Sequence, residues 1–219
     1  YAGDCEVLIR VSAKASDTES ASLLLDPLVR TIQDSLGDSI YGIDVESLEQ
    51  CVVQELTAQK KMLALAESCT GGLIAKRLTD ISGSSEVFGF GFVTYANRAK
   101  HELLGVPAEM LAQHGAVSRA TACAMAEGAR REGHADLGLA VTGVAGPLGG
   151  TDEKPVGLVY LALATDGQTF VRVLHPHPYF QTRDRIRIRT ANHAFDMVRR
   201  ALKGLPVEAS WHDKQKTDD

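Results

Sequence analysis

From Met62 onward, short and nearly continuous apolar runs alternate with helix-patterned stretches, and this alternation limits the chain to few architectures. The runs are Met62–Ala66 (MLALA), Phe92–Ala96 (FVTYA), Leu137–Gly143 (LGLAVTG), Val156–Thr165 (VGLVYLALAT) and Thr169–His175 (TFVRVLH). Strands with so little polar alternation are buried on both faces, so helices must cover the sheet they form. The intervening segments supply them. One helix runs through Leu73, Ile74 and Leu78, and a second helical stretch ends near LLGV. GAVS (Gly115–Ser118) opens a long Ala-rich helix to about Arg131, and a last helix carries Ala191, Ala194, Phe195, Val198 and Leu202. The expected fold is α/β, a layered αβα domain with a mostly parallel sheet, over residues 56–205.

The first 55 residues have a different texture and form a small α/β segment. Glu6–Ala13 (EVLIRVSA) alternates enough to predict a strand. Asp17 is placed to cap a helix whose apolar positions Leu24, Leu28, Ile32 and Leu36 recur every four residues, and Gly37 ends it. Asp44 is expected to cap a second helix through Leu48, Val52 and Leu56. Residues 1–59 hold 11 acids and 3 bases, whereas residues 60–219 hold 17 and 20. The net charge of −5 argues against general nucleic-acid binding, which draws on clustered Lys and Arg. No apolar run approaches the ~18 residues of a membrane helix, and the first residues do not read as a signal peptide. A soluble protein is expected, and a start at Tyr1 leaves room for chain upstream. Cys5, Cys51, Cys69 and Cys123 show no CxxC spacing and no HExxH pattern accompanies them, so neither a local zinc site nor a disulfide framework is indicated. Isolated thiols fit a reducing cytoplasm. The tail from Pro206 to Asp219 is polar and expected to be flexible.

Chemistry concentrates in a few segments. In AESCTGG (Ala66–Gly72) a strand ends at a polar cluster and a helix begins at two glycines. Ser68, Cys69 and Thr70 then sit beside helix N-terminal N–H groups, which can hold a phosphate or an oxyanion. The plainer reading is that Ser68 or Thr70 merely caps the helix. FVTYANRAK places Tyr95, Asn97 and Lys100 at a strand end, where Lys100 alone would read as a solvated helix residue. The loop VTGVAGPLGGTDEKPVG (Val141–Gly157) is richer in Gly and Pro than a plain connection needs, so its backbone can approach a ligand. GSS (Gly83–Ser85) and GAVS are weaker signals. Arg183, Arg185, Arg187 and Arg189 form a basic patch that is either a solvated face or a partner for an anionic group.

AESCTGG, GSS, FVTYANRAK with LLGV, HGAVS, TGVAGPLGGTDEKPVG and the late Arg-containing helix occur in the order of the CinA C-terminal family, which residues 56–203 closely resemble. Residues 1–59 resemble the KH-like segment that precedes this domain in longer CinA proteins, although they lack a GxxG loop and basic surroundings, so RNA binding is not expected. The larger N-terminal domain of such proteins, similar to molybdopterin-binding proteins, has no counterpart here, and its pyrophosphatase activity is not assigned.

The resemblance implies an amidohydrolase that deamidates nicotinamide mononucleotide to nicotinic acid mononucleotide and ammonia, with no metal and no organic cofactor. It implies Ser68 as nucleophile with Tyr95 and Lys100 as the other catalytic residues. Thr70, Gly71, Gly72, Ser84, Asn97, Thr142, Gly143, Gly146, Arg183 and Arg187 are the expected substrate-binding residues. A weak hydroxyl nucleophile needs a base, and His101, His114 and His175 are not placed to act as one. A Lys held neutral by burial or a nearby cation can act instead. The oxyanion is expected at the N–H groups that open the helix after Gly71, joined by the Thr142–Gly143 turn. Where many relatives carry Gly-Asp-Arg before the last helix, this chain has Gln181, Thr182 and Arg183. A homodimer or higher homo-oligomer is expected. The rival readings are a non-catalytic partner protein in competence or DNA-damage responses and a nucleotide-binding regulatory module.

Overall fold

A computed structural model describes residues 6–208. Five strands form one sheet in the order β2-β1-β3-β4-β5: β1 (Leu63–Glu67), β2 (Phe88–Val93), β3 (Leu137–Gly143), β4 (Val159–Ala164) and β5 (Thr169–Leu174). β2 and β3 pair parallel to β1, while β4 pairs antiparallel to β3 and β5 antiparallel to β4. Four strands thus point one way and β4 alone opposes them, which is the mostly parallel sheet the apolar runs predict.

Successive side chains on a strand face opposite sides, and the sequence sorts them by size. Leu63 and Leu65, with Leu139, Val141, Leu161 and Leu163, point toward α2 (Leu48–Gln59), α3 (Leu73–Thr79) and α7 (Arg183–Leu202), in a core that includes Leu56, Ile74 and Phe195. Ala64, Ala66, Ala140 and Ala162 point the other way, toward α6 (Arg119–Glu132) and its Ala122, Met125, Ala126 and Ala129. The small residues on that face let α6 lie close to the sheet. At Gly138 an added Cβ would run into the Ala126 carbonyl, and at Gly128 into that of Leu104. Two shorter helices, α4 (Asn97–Leu104) and α5 (Ala108–His114), complete that layer.

Several boundaries differ from the sequence reading. β2 begins at Phe88 rather than Phe92, because the Phe-Gly alternation of FGFGF suits an edge strand with most residues exposed. Glu6–Ala13 forms no strand; only Val7 makes a bridge. Asp44 adopts positive φ instead of capping α2, and Ser47 caps it by accepting from the Gln50 N–H at 3.2 Å. α1 (Thr18–Leu36) has the predicted cap, with Asp17 accepting from the Ser20 N–H at 2.8 Å, and Gly37 follows at φ 51°. α2 buries Leu48, Val52, Val53 and Leu56 in the core shared with α7, so it packs against the layered domain that follows it. The chain is also pinned just past Pro206: Val207 is buried and its carbonyl accepts from Arg172 at 2.7 Å. Residues 209–219, the rest of the expected flexible tail, lie outside the described residues.

Candidate active site

The sheet's geometry creates the site at the ends of β1 and β3. β1 ends at Glu67, and the chain turns through Ser68–Gly72 before α3; Gly71 and Gly72 have φ of 60° and 93°, which suits residues without a Cβ. The turn is anchored to the sheet by the Ser68 N–H, which donates to the Val141 carbonyl at 3.0 Å. On the other side, β2 ends at Val93 and the Thr94 N–H donates to the Glu67 carbonyl at 2.9 Å. α4 begins three residues later, and its fourth residue is Lys100.

Lys100 is 1% exposed, and its Nζ lies 3.1 Å from Ser68 Oγ. The same nitrogen donates to the Thr94 carbonyl at 2.8 Å and the Tyr95 carbonyl at 3.3 Å. Among the described residues no carboxylate lies within ion-pair distance of it. Burial therefore pushes the lysine below its ordinary range, since desolvation penalises the ammonium and outweighs the opposing pull of the neighbouring Cys69. The two carbonyls take two of its N–H groups, and the third position on the nitrogen is directed at Ser68 Oγ, to which Nζ donates.

Ser68 and Lys100 open onto a cleft of about 210 Å³ whose lining includes Cys69, Tyr95, Ala116, Val117, Thr142, Gly143, Ala145 and Arg183. The Thr142 hydroxyl donates to the Ala116 carbonyl at 2.8 Å, tying β3 to the segment before α6. Arg183, at the start of α7, donates to the Gly146 carbonyl at 2.8 Å and to the Tyr95 hydroxyl at 3.2 Å. Tyr95 is 61% exposed. Its hydroxyl thus faces Arg183, while its carbonyl holds Lys100. Burial pushes the Cys69 thiol up to about 12, far from the thiolate a cysteine nucleophile would need.

The structure brings together Ser68, Tyr95, Lys100, Thr142, Gly143 and Arg183, with Gly146 reached through its carbonyl. Other expected contacts differ. Ser84 is buried in a 3-10 turn outside the cleft lining, its N–H donating to the Ile81 carbonyl. Asn97 is exposed as the first residue of α4 and does not line the cleft. Thr70 is fully buried, and its carbonyl accepts from Arg187 Nε and Nη2 at 3.0 and 2.5 Å. Gly71 and Gly72 shape the turn without lining the cleft.

The expected oxyanion site at the start of α3 is already occupied. The Glu67 carboxylate accepts from the N–H groups of Gly72, Ile74 and Ala75 at 3.0, 3.1 and 2.8 Å. Glu67 is not among the residues expected from the sequence, although it stands beside Ser68 in AESCTGG. It also left Ala116, Val117 and Ala145 out of the site, because small apolar residues carry no chemical signature. HGAVS and VAGP, the motifs that hold them, were the available signal.

The family model for the CinA C-terminal domain matches residues 45–202, and that for the damage-inducible protein CinA KH domain matches residues 1–42. A CinA-like protein of Desulfovibrio desulfuricans is 53% identical over 213 residues, covering 97% of this chain and 50% of the relative. Another, from Kosmotoga olearia, is 46% identical over 207 residues, covering 94% and 49%. The chain spans about half the length of these curated relatives. Among solved structures, a competence/damage inducible protein CihA from Agrobacterium tumefaciens superposes with a TM-score of 0.69 at 45% identity, covering 75% of this chain and 98% of that one. A CinA superfamily protein from Klebsiella pneumoniae gives 0.68 at 32%, covering 72% and 96%. With the domain match spanning the whole Ser68–Lys100 site and these relatives sharing its fold, the chain belongs to the CinA family.

Proposed function

We propose that this chain is an amidohydrolase acting on nicotinamide mononucleotide through a serine nucleophile and a lysine base. The observation that carries the reading is the buried Lys100 Nζ, held by two backbone carbonyls and 3.1 Å from Ser68 Oγ. The motif resemblance supplies the substrate class. Ser68 Oγ attacks the carboxamide carbon as Nζ takes its proton. An amide nitrogen is a poor leaving group, so the same Nζ returns the proton to the departing ammonia. Water then hydrolyses the acyl-enzyme, with Lys100 again the base, and nicotinic acid mononucleotide leaves. Since Glu67 takes the α3 N–H groups, the oxyanion falls to the Cys69 N–H, the one after the nucleophile, which makes none of the turn's backbone hydrogen bonds. Arg183 retains donors beyond those given to Gly146 and Tyr95, and its guanidinium is the cleft's cation for the substrate phosphate. Tyr95 acts through its carbonyl on Lys100 and through its hydroxyl on Arg183.

Ammonia release from nicotinamide mononucleotide by purified protein, against a heat-inactivated control and in the presence of chelator, tests this reading. Turnover should persist with chelator and fall by two or more orders of magnitude in Ser68→Ala. Saturable binding without release would instead assign a nucleotide-binding module, and loss of activity to chelator would replace the scheme with metal-assisted hydrolysis.

A further inference from the structure

Among the described residues, two charged side chains beside Ser68 have no opposite charge within ion-pair distance. Glu67 is 1% exposed, and among the described residues no Lys or Arg lies within ion-pair distance of it. Arg187, on α7, likewise has no carboxylate partner among the described residues. A buried ion without a partner is costly unless fixed hydrogen bonds replace its hydration. Both side chains meet that requirement on the main chain of a single turn. The Glu67 carboxylate accepts from Gly72, Ile74 and Ala75, drawing the end of the turn and the start of α3 back onto the strand end. Arg187 donates twice to the Thr70 carbonyl, and a Cβ at Gly71 would lie 3.7 Å from its Nη2, so the guanidinium sits directly against the turn.

We propose that Glu67 and Arg187 are positioning residues that clamp the Ser68–Gly72 turn from two sides and so hold Ser68 Oγ on Lys100 Nζ. The inference rests on Ser68 and Lys100 acting as proposed above, and it gives Arg187 a different task from the substrate contact expected of it. Glu67 also reaches the base by its main chain: its carbonyl accepts from the Thr94 N–H, and the Thr94 carbonyl accepts from Lys100. One residue therefore sets the strand end, the nucleophile turn and the peptide that holds the base. Gln at position 67 cannot replace the carboxylate. Its single oxygen would face three N–H donors, and its amide would oppose one of them. A methionine at 187 would leave the Thr70 carbonyl without its charge-assisted donors.

Hydrogen exchange and kinetics on the full chain separate the possibilities. In Glu67→Gln and in Arg187→Met, amides of Gly71–Ala75 should exchange at least tenfold faster, with α1 unchanged. In the same variants kcat for ammonia release from nicotinamide mononucleotide should fall at least tenfold while KM stays within twofold, and Arg187→Lys should recover most of the loss. Unchanged exchange in both variants overturns the clamp whatever the activity. A raised KM with unchanged kcat in Arg187→Met makes Arg187 a substrate ligand and overturns its share. If the unmutated protein releases no ammonia, the proposed reaction falls while the exchange measurement still decides the clamp. Should Glu67→Gln fail to fold, Arg187→Met carries the test, because its side chain is only half-buried and its loss spares the strand end.

Discussion

Helices α1 and α7 are nearly equal in length, at 19 and 20 residues, yet they stand at opposite extremes of burial. α1 has the more apolar sequence but buries none of its residues, leaving Leu23, Leu24, Leu28 and Leu36 exposed. α7 carries six arginines, and 13 of its residues are buried. The difference lies in partners. α7 lies against the sheet's leucine-rich face and α2, and its polar groups meet Asp196, Arg172 and backbone carbonyls. Hydrophobic periodicity makes a helix amphipathic; a facing surface decides whether that stripe is used.

Truncating apolar side chains on the two helices should give unequal losses. Phe195, fully buried on α7, should cost about 3–5 kcal/mol on replacement by Ala, the range for large aromatic deletions. Leu24, 56% exposed on α1, should cost no more than about 0.5 kcal/mol. Denaturant midpoints at unchanged m-value would measure both. A loss of several kcal/mol from Leu24→Ala would show that the α1 stripe is covered in solution.

Every residue that lines the cleft lies between Ser68 and Arg183, and none is on α1. Lys100→Arg removes the proposed base, since guanidinium does not deprotonate in proteins. Turnover should fall at least about 100-fold, equivalent to ~2.7 kcal/mol of barrier, whereas Leu24→Ala leaves it unchanged. The pH dependence has a definite sign. In the proposed mechanism the amine must be neutral to act, and burial lowers its pKa, so kcat/KM should rise with pH to a plateau whose midpoint lies below the ordinary lysine value. Between those two values the unfolded chain binds the proton and the folded chain does not. Stability from this group therefore grows as pH rises through that window and is lost as pH falls through the lowered pKa. A profile that is flat over that window would remove Lys100 as the titrating base.

What could be read from the sequence follows the range of the interactions involved. Asp17 and Gly37 were legible because a cap is completed within a few residues. Ser68 and Lys100 were legible through their motifs, although 32 residues separate them and it is the β1–β2 pairing that brings their segments together. Glu67 was not, since a Glu at a strand end looks like a solvated charge until the turn folds its own downstream N–H groups over it. Arg187 was legible as a cation near the site but not in its direction, because its acceptor lies 117 residues away. The Glu6–Ala13 pattern predicts a strand that the structure does not form, and alternation alone supplies no partner for it.

The smallest test compares two caps of the same kind, Ser47 on α2 and Asp17 on α1. Each accepts the N–H three residues on, so each removal frees the same sort of donor. α2 carries Leu48, Val52, Val53 and Leu56 into the core, so fraying its first turn weakens packing shared with α7. Ser47→Ala should therefore lower global stability by about 1 kcal/mol, visible as a shifted denaturation midpoint. α1 contributes nothing buried, so Asp17→Ala should leave that midpoint in place and speed amide exchange only within Thr18–Leu36. Acid should mimic the substitution. The Ser20 N–H holds the Asp17 carboxyl below its usual range, so the cap's contribution is full above the ordinary Asp value and disappears as pH falls through the lowered one. Equal midpoint shifts in the two variants would mean that α1 unfolds with the sheet as a single unit, and the division between the two helices would be one of exposure rather than of cooperativity.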